Sequence, residues 1–212
     1  MISKVVCAPV ATMRRLPGYL RALKEMERKN QKTVSTVAIG DIMNLNPAVV
    51  KKDLSYVGSS DGKPKIGFEV TALIAGLEKF LGYNDATEAV LIGVGRLGRT
   101  LLSYEGFKNY GLNIVAAFDV DKSVAGTGIG NKKIFDMAEL PRLVKRLNVH
   151  IGIITVPKQA AQEVCDILVD AGIKGIWNFA PAHLKTPDGI AVKNEDMAAS
   201  LAELSNKLKG IV

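Results

Sequence analysis

Apolar residues recur every three or four positions near the start of the chain, which predicts a helix. Leu16, Tyr19, Leu20, Leu23 and Met26 follow this spacing, and basic residues lie between them. Apolar positions at helical spacing bury one face of a helix and leave the other face in water. The pattern therefore predicts an amphipathic helix with a basic outer face.

A second helix is predicted shortly after the first. The apolar segment 37–43 is followed by Asn46 and Pro47. Asparagine suits the N-cap of a helix, and proline suits its first position. The polar stretch 33–36, directly before the apolar segment 37–43, is able to cap, so the order of elements is that of a helix-turn-helix.

The helix that begins at Pro47 has two different faces. Its inward face carries Val50, Leu54 and Val57, whereas the outward face is small or cationic and consists of Ala48, Lys51, Lys52 and Ser55. Such a face suits the major groove of DNA. The glycine-bounded segment 58–65 is predicted to form a hairpin, and its lysines would lie near phosphates if the hairpin is a wing. A small helical domain that binds other proteins is the alternative.

A different pattern begins after residue 84. The apolar run 89–92 predicts a strand, and a GxGxxG motif follows it at residues 93–98. A helix is predicted over 97–107. Strand, glycine turn and helix form the context that a dinucleotide-binding motif requires. Gly93 permits the tight turn, Gly95 lets the backbone approach a pyrophosphate, and Gly98 lets helix and strand pack closely.

An acidic residue follows at the spacing that this fold uses for the ribose. The predicted strand 113–118 ends at Asp119, 21 residues after Gly98. A carboxylate roughly 20 residues beyond the glycines binds the adenosine ribose hydroxyls. Asp121 adds a second negative charge and no arginine intervenes, so NAD(H) is favoured over NADP(H).

The alternation of helices and strands continues towards the end of the chain. Helices are predicted over 137–147 and 160–171, and strands over 149–156 and 173–177. The turns 155–157 and 178–181 lie at the carboxyl ends of strands, where open parallel sheets bind ligands. Finally, an apolar stripe at helical spacing favours dimerisation over an ordinary covering helix; it consists of Met197, Leu201, Leu204 and Leu208.

Composition excludes several classes of protein. The chain has 212 residues, of which 48% are hydrophobic and 23% charged, so it is expected to bury a core. Two cysteines and two histidines are too few for a disulfide scaffold or a structural zinc site. No run of about 18 apolar residues is present to cross a membrane. We therefore expect a reduced, cytoplasmic protein without a metal and without a membrane partner.

The positive charge is concentrated in the first part of the chain. Residues 1–84 hold 13 Lys or Arg and 7 Asp or Glu, a net charge of +6. Residues 85–212 hold 15 and 14, a net charge of +1. We expect one domain at 1–84 that binds an anionic partner and a second, nucleotide-binding domain at 85–212.

Taken together, these motifs resemble the Rex family of bacterial redox-sensing transcriptional repressors. The resemblance covers nearly the whole chain. Its motifs are RLP at 15–17, YLR at 19–21, VKKDLSY at 50–56, GVGRLG at 93–98, AFDVD at 117–121, TVP at 155–157 and AGIKGIWNFAP at 171–181.

The resemblance implies a homodimer whose C-terminal helices, at about 196–210, are exchanged between subunits. It also implies NADH and NAD as ligands, double-stranded operator DNA as partner, and Arg21, Tyr104 and Asp196 as switch residues. The residues expected at the dinucleotide are Gly93, Val94, Gly95, Arg96, Leu97, Gly98, Tyr104, Asp119, Val120, Thr155, Val156, Pro157, Asn178, Phe179 and Ala180. The residues expected at DNA are Arg14, Arg15, Ser35, Lys51, Lys52, Ser55, Tyr56, Lys63 and Lys65.

The sequence thus predicts an α/β protein with an N-terminal winged helix-turn-helix domain and a Rossmann-type parallel-sheet domain. Its expected function is a repressor that holds its operator when free or NAD-bound and releases it on binding NADH. The alternative is an NAD-dependent dehydrogenase. That reaction needs a proton donor beside the nicotinamide and usually a substrate domain. Residues 85–212 suffice for one nucleotide-binding fold without an added substrate domain. The candidate donors are His183, Lys185 and Tyr104, and no paired acid–base motif supports them, so we expect no enzyme activity.

Overall fold

The computed structural model of the chain describes residues 8–58, 67–85 and 87–210. The chain divides into two compact units, Met1–Asp85 and Ala86–Val212. The helices are α1 (Val10–Arg28), α2 (Thr36–Met43), α3 (Pro47–Ser55), α4 (Val70–Leu81), α5 (Arg96–Ser103), α6 (Leu140–Leu147), α7 (Ala161–Asp170) and α8 (Met197–Lys209). The strands are β1 (Thr33–Val34), β2 (Phe68–Glu69), β3 (Thr87–Ile92), β4 (Leu112–Asp119), β5 (Gly128–Ile129), β6 (Lys132–Asp136), β7 (Ile151–Ile154), β8 (Gly175–Asn178) and β9 (Ala191–Asn194).

The first unit contains the predicted helix-turn-helix. The apolar face of α1 is buried and packs on α4 in one hydrophobic cluster. Ser35 caps α2 by accepting the Ala38 N–H at 3.1 Å, and Asn46 caps α3 by accepting the Ala48 N–H at 2.8 Å. Each cap satisfies a backbone donor that has no partner within its helix, so α2 and α3 begin directly after these residues.

A short antiparallel pair of strands, β1 with β2, stands where the base of a wing is expected. Thr33 pairs with Glu69, and Val34 pairs with Phe68. The hairpin predicted for 58–65 falls largely outside the described residues, and so do its Lys63 and Lys65.

The second unit is built on a mostly parallel sheet. Within the described residues its seven strands have the order β5-β6-β4-β3-β7-β8-β9, and only β5 runs antiparallel to its neighbour. Helices cover both faces over two hydrophobic clusters. Residues 89–92 of β3 and 152–154 of β7 are buried, and both runs have the continuous apolar sequence typical of parallel strands. The predicted α/β class is confirmed.

Several predicted boundaries need correction. The helix expected over 97–107 ends at Ser103, where Tyr104 adopts an extended backbone, and a 3-10 helix follows over Glu105–Tyr110. The ring of Tyr104 folds over Gly106 so closely that a Cβ there would collide with it. The helix expected over 137–147 starts as a 3-10 turn, Met137–Glu139. The strand expected over 149–156 is only Ile151–Ile154.

Every residue of α8 is exposed in the single chain. Its apolar stripe is exposed as well, with Met197 76% and Leu201 62% accessible. Among the described residues, the helices lack either the length or the apolar character needed to span a bilayer.

Candidate functional site

A cavity of about 510 Å³ opens in the second unit, at the carboxyl ends of several parallel strands. Ligands bind at this edge of open α/β sheets. Nine residues predicted for the dinucleotide lie in its wall: Gly93, Gly95, Leu97, Asp119, Val120, Thr155, Val156, Pro157 and Phe179.

The glycines of the motif hold the chain in a form that other residues would not allow. Gly93 has a φ of +92°, and a Cβ there would lie 2.7 Å from Cγ1 of Val156. A Cβ on Gly98 would collide with the carbonyl oxygen of Gly93. Gly95 differs, because a Cβ there would meet nothing within 4 Å among the described residues. Gly93 and Gly98 therefore shape the turn, and Gly95 offers open backbone to a ligand.

The end of β7 is tied to this loop through Thr155. Its hydroxyl oxygen lies 2.6 Å from the carbonyl oxygen of Gly93 and 3.0 Å from that of Ile92. The contact joins two strands at the point where both end. It ties the end of β7 to the glycine loop and commits the hydroxyl hydrogen to backbone carbonyls.

Asp119 closes one side of the cavity at the end of β4. One carboxylate oxygen accepts the Val94 N–H at 2.6 Å, and the other accepts the Asp121 N–H at 3.0 Å. A carboxylate has about four acceptor sites, so two remain for hydroxyl donors. The open backbone at Gly95, the N-terminus of α5 beside it and this carboxylate fit a dinucleotide with a free ribose 2′-hydroxyl.

Some residues expected at the dinucleotide are not among those that line the cavity. The side chain of Val94 is buried, Arg96 is exposed at the start of α5, and Gly98 serves the packing of that helix. Tyr104 is 52% exposed and packs edge-to-face on Phe107, with ring centroids 4.9 Å apart.

Asn178 and Ala180 are not in the cavity wall either. The Asn178 side chain is fully buried, and its Nδ2 donates to the carbonyls of Ala180 and Ala182 and to Oδ1 of Asn194 at 2.8–3.1 Å. Its own Oδ1 accepts the Ala180 N–H at 2.9 Å. This amide therefore holds the turn together, and Phe179 between the two residues is the side chain that reaches the cavity.

Sequence reasoning missed four residues of the cavity wall: Ile92, Met137, Ala160 and Val164. Met137 follows the carboxyl end of β6, a strand that the pattern did not predict. Recognising residues 132–136 as a strand would have placed Met137 at the same sheet edge as Asp119, because Asp119 pairs with Asp136.

In the first unit, the predicted outward face of α3 is confirmed as exposed. Its residues Ala48, Lys51, Lys52 and Ser55 are open to solvent, and Val50 and Leu54 on the other side are buried. Arg14 and Ser35 are also exposed, and Tyr56 is half-buried. The surface has the small and cationic character that a DNA groove accepts.

Arg15, which was also expected at DNA, is paired within the first unit. Its Nε and Nη2 donate to the two carboxylate oxygens of Asp53 at 2.7 and 2.8 Å. Thr12 and Tyr19 donate to the same carboxylate at 2.8 and 2.7 Å. The reason is the burial of Asp53, which is 1% exposed and needs a partner of opposite charge.

Ionisation in this cluster is set by competing effects. Burial raises the pKa of Asp53, but the hydrogen bonds from Arg15, Tyr19 and Thr12 outweigh it and leave the pKa below the ordinary value. The pKa of Tyr19 is raised, first by burial and then by its bond to Asp53. At neutral pH the cluster is therefore a carboxylate held by a cation and two neutral hydroxyls.

The expected switch residues lie in both units. Arg21 is exposed on α1 of the first unit. In the second unit, Asp196 caps α8 by accepting the Ala199 N–H at 3.0 Å. Within the described residues, no group of three or more His, Cys, Asp or Glu side chains is placed to hold a metal ion.

Both units match known families. Residues 8–55 match the family described as "Putative DNA-binding protein N-terminus", and residues 84–182 match the family described as "CoA binding domain". The fold of the whole chain is similar to the crystal structure of RSP in complex with beta-NAD+ and operator DNA, with a TM-score of 0.90 and 32% identity over 96% of this chain and 94% of that chain. RSP in complex with beta-NADH matches with a TM-score of 0.86 and 32% identity, over 96% of this chain and 95% of that chain.

Whole-length relatives have one name in common. The redox-sensing transcriptional repressor Rex of Bacteroides thetaiotaomicron is 41% identical over 209 residues, which is 98% of this chain and 94% of the relative. The protein of the same name from Treponema denticola is 43% identical over 201 residues, covering 95% of this chain and 94% of the relative. The chain therefore belongs to the Rex family of redox-sensing transcriptional repressors.

Proposed function

We propose that this protein is a DNA-binding transcriptional repressor that senses the ratio of NADH to NAD. It binds its operator when free or NAD-bound and releases the operator on binding NADH. One observation carries the proposal: a single chain combines an exposed cationic helix face with a glycine-lined cavity that ends in a carboxylate. The names of its relatives and the ligands of RSP agree with both halves.

The glycine loop and Asp119 would hold the dinucleotide. The backbone at Gly95 and the N-terminus of α5 face the pyrophosphate, and the carboxylate of Asp119 accepts from the ribose hydroxyls. Asp119 and Asp121 repel a 2′-phosphate, so NAD(H) is preferred to NADP(H). The bound dinucleotide supplies the signal, because its nicotinamide is cationic when oxidised and neutral when reduced.

The chain distinguishes the two forms through the apolar part of the cavity. Ile92, Val156 and Phe179 line it, and an apolar wall disfavours a cationic ring. A ligand shifts a conformational equilibrium only by its difference in affinity for the two states. Changing an equilibrium from about 1:99 to 99:1 requires about 5.5 kcal/mol of such a difference. We assign Arg21, Tyr104 and Asp196 to the contacts that change between the states.

The operator-binding form is a homodimer assembled through α8. The apolar stripe of this helix is 49–76% exposed in the single chain, at Met197, Leu201, Leu204 and Leu208. Exposed apolar stripes of this kind mark interaction surfaces. Exchange of α8 between two copies covers both stripes. Truncation after Glu195 is therefore expected to give monomers in a sedimentation experiment, and an intact dimer would contradict the exchange.

The protein is not a dehydrogenase in this proposal. Among the described residues, the cavity wall has two polar side chains, Asp119 and Thr155. The first binds ribose, and the hydroxyl of the second lies against backbone carbonyls. A hydride transfer to or from a carbonyl needs a proton donor or acceptor at the nicotinamide. His183 and Lys185 are exposed and do not belong to this wall.

The experiment begins with selection of binding sites from random-sequence duplex DNA by the purified full chain. We expect enrichment of a palindrome, because a two-fold dimer reads two half-sites. Retention of that duplex is then measured with NAD and with NADH. Release by NADH alone, without NADH consumption on small ketones, is the expected result. Equal retention with both nucleotides, or turnover, would contradict the proposal.

A further inference from the structure

The carboxylate of Asp53 is enclosed by donors from one other helix. Asp53 lies on α3, whereas Thr12, Arg15 and Tyr19 all lie on α1. Oδ1 accepts from Thr12 Oγ1 and Arg15 Nη2, and Oδ2 accepts from Arg15 Nε and Tyr19 Oη, all at 2.7–2.8 Å. A carboxylate offers about four acceptor sites. All are used here, so Asp53 has no acceptor left for water or nucleic acid.

The three donors form one row on α1. Positions 12, 15 and 19 are separated by three and four residues, which places them on the same face of a helix. Thr12 and Tyr19 are buried, and the Arg15 side chain is 27% exposed. The whole row is therefore turned towards α3 rather than towards solvent.

This contact fixes the rotation of α3 about its own axis. Apolar contacts at Val50 and Leu54 hold α3 against the core, but apolar attraction has little directional preference. A bidentate guanidinium–carboxylate pair adds geometric specificity. Lys52 is the sequence neighbour of Asp53 and is exposed, so an error in the rotation of α3 would change the direction of the cationic face.

We propose that Arg15 and Asp53 are positioning residues for DNA recognition. They hold the reading face of α3 at the angle that the groove requires, and neither touches the nucleic acid. Arg15 therefore acts differently from its neighbour Arg14, which is exposed and available to a phosphate. The inference rests on the proposed function, because it presupposes that α3 reads an operator.

The substitution Asp53→Asn separates positioning from simple electrostatics. If Asp53 influenced DNA only through its charge, its loss would remove a repulsion and tighten binding to any duplex. If it positions α3, operator binding weakens although the protein becomes more positive. We expect the preference for the selected operator over random duplex to fall roughly tenfold, because one good bidentate base contact discriminates by about 1–3 kcal/mol.

Salt dependence gives the second measurement. Affinity for DNA falls as salt rises, and each phosphate contact that is lost lowers the steepness of that slope, in log K against log salt, by about one unit. Arg15→Lys keeps the charge but lacks the bidentate fork, so it should weaken operator binding with an unchanged slope. Lys52→Ala is the matched control: it removes an exposed cation from α3 and should lower the slope by about one unit. A lower slope for Arg15→Lys, or unchanged operator affinity, would overturn the inference.

A milder variant covers the case in which Asp53→Asn does not fold. Tyr19→Phe removes one hydroxyl and leaves the Arg15–Asp53 pair in place. It should reduce the preference for operator by less than Arg15→Lys, with helicity and NADH binding unchanged. Wild-type protein that binds no duplex would instead contradict the proposed function, so the two failures are distinguishable. If Tyr19→Phe and Arg15→Lys both fold and both keep the full preference for operator over random duplex, the positioning role is rejected.

Discussion

Asp53 and Asp119 are two carboxylates whose surroundings assign them opposite tasks. Asp53 is 1% exposed, and three side chains of another helix occupy its oxygens. Asp119 lies in the wall of an open cavity, and its partners are the backbone N–H groups of Val94 and Asp121. Their identical chemistry therefore serves cohesion within the first unit and, in the proposed function, ligand binding in the second.

The difference lies in what remains available to a ligand. A buried charge must be paired, since removal of one partner leaves the other without compensation in a medium of low dielectric constant. A carboxylate at a strand end in a cavity keeps acceptor sites in contact with water, and a ligand replaces that water. Both residues are aspartates, so residue type does not distinguish them. The number of acceptor sites already occupied within the fold shows which carboxylate stabilises structure and which is open to a ligand.

The largest expected effect is on the stability of the first unit. Asp53→Ala leaves Arg15 without its charge partner and the Tyr19 hydroxyl without its acceptor. Breaking a buried ion pair from one side costs about 3–5 kcal/mol. We expect the free energy of unfolding to fall by about 3 kcal/mol or more, measured by urea denaturation monitored by circular dichroism. Asp119→Ala should be much closer to the wild type in stability, and an equal loss for the two variants would mean that burial does not distinguish the two carboxylates.

The next largest effect is on NADH affinity, where the Asp119 variant rather than the Asp53 variant should show the larger loss. Asp119→Ala removes an acceptor for the ribose hydroxyls, and hydrogen bonds to a charged group contribute about 1.5–3 kcal/mol. We expect NADH affinity to fall by roughly tenfold to a hundredfold in a nicotinamide fluorescence titration.

The matched control for that titration is Asp121→Ala. The Asp121 carboxylate is exposed and accepts from the N–H and the hydroxyl of Ser123 at 2.8 and 2.7 Å. It therefore serves its own turn, and its removal should change NADH affinity only slightly. A larger loss of NADH affinity for Asp121→Ala than for Asp119→Ala would show that Asp121, and not Asp119, binds the ribose.

Local signals explain which parts of the fold were predictable. The caps at Ser35 and Asn46 and the glycines of the nucleotide loop act within a few residues, so the sequence predicts them directly. The strands β6 and β9 were missed, because they are short and carry charged or exposed residues. Their extended form depends on pairing with β4 and β8, which sequence periodicity does not describe.

The candidate sites show the same limit. Arg15 is in a basic run and Asn178 is in a turn at a strand end, so the pattern of each predicted a ligand. Arg15 instead meets Asp53, 38 positions away, and Asn178 reaches Asn194, 16 positions away. Buried polar groups almost always find partners within the fold. Whether a polar residue at a plausible site is available to a ligand can thus be judged only from its tertiary contacts.

Acid should remove the structural role of Asp53 by protonation, without a mutation. The pKa of Asp53 is lowered in the folded chain, chiefly by Arg15 acting against the effect of burial. Its contribution to stability is therefore complete above about pH 3.9, the ordinary value for aspartate, and is lost as the pH falls through the folded value. The difference in unfolding free energy between wild type and Asp53→Asn should shrink on acidification from pH 7 to pH 2. Tyr19→Phe keeps the ion pair and should retain most of the wild-type acid response, whereas a constant difference between wild type and Asp53→Asn would mean that Asp53 is not the group that acid protonates.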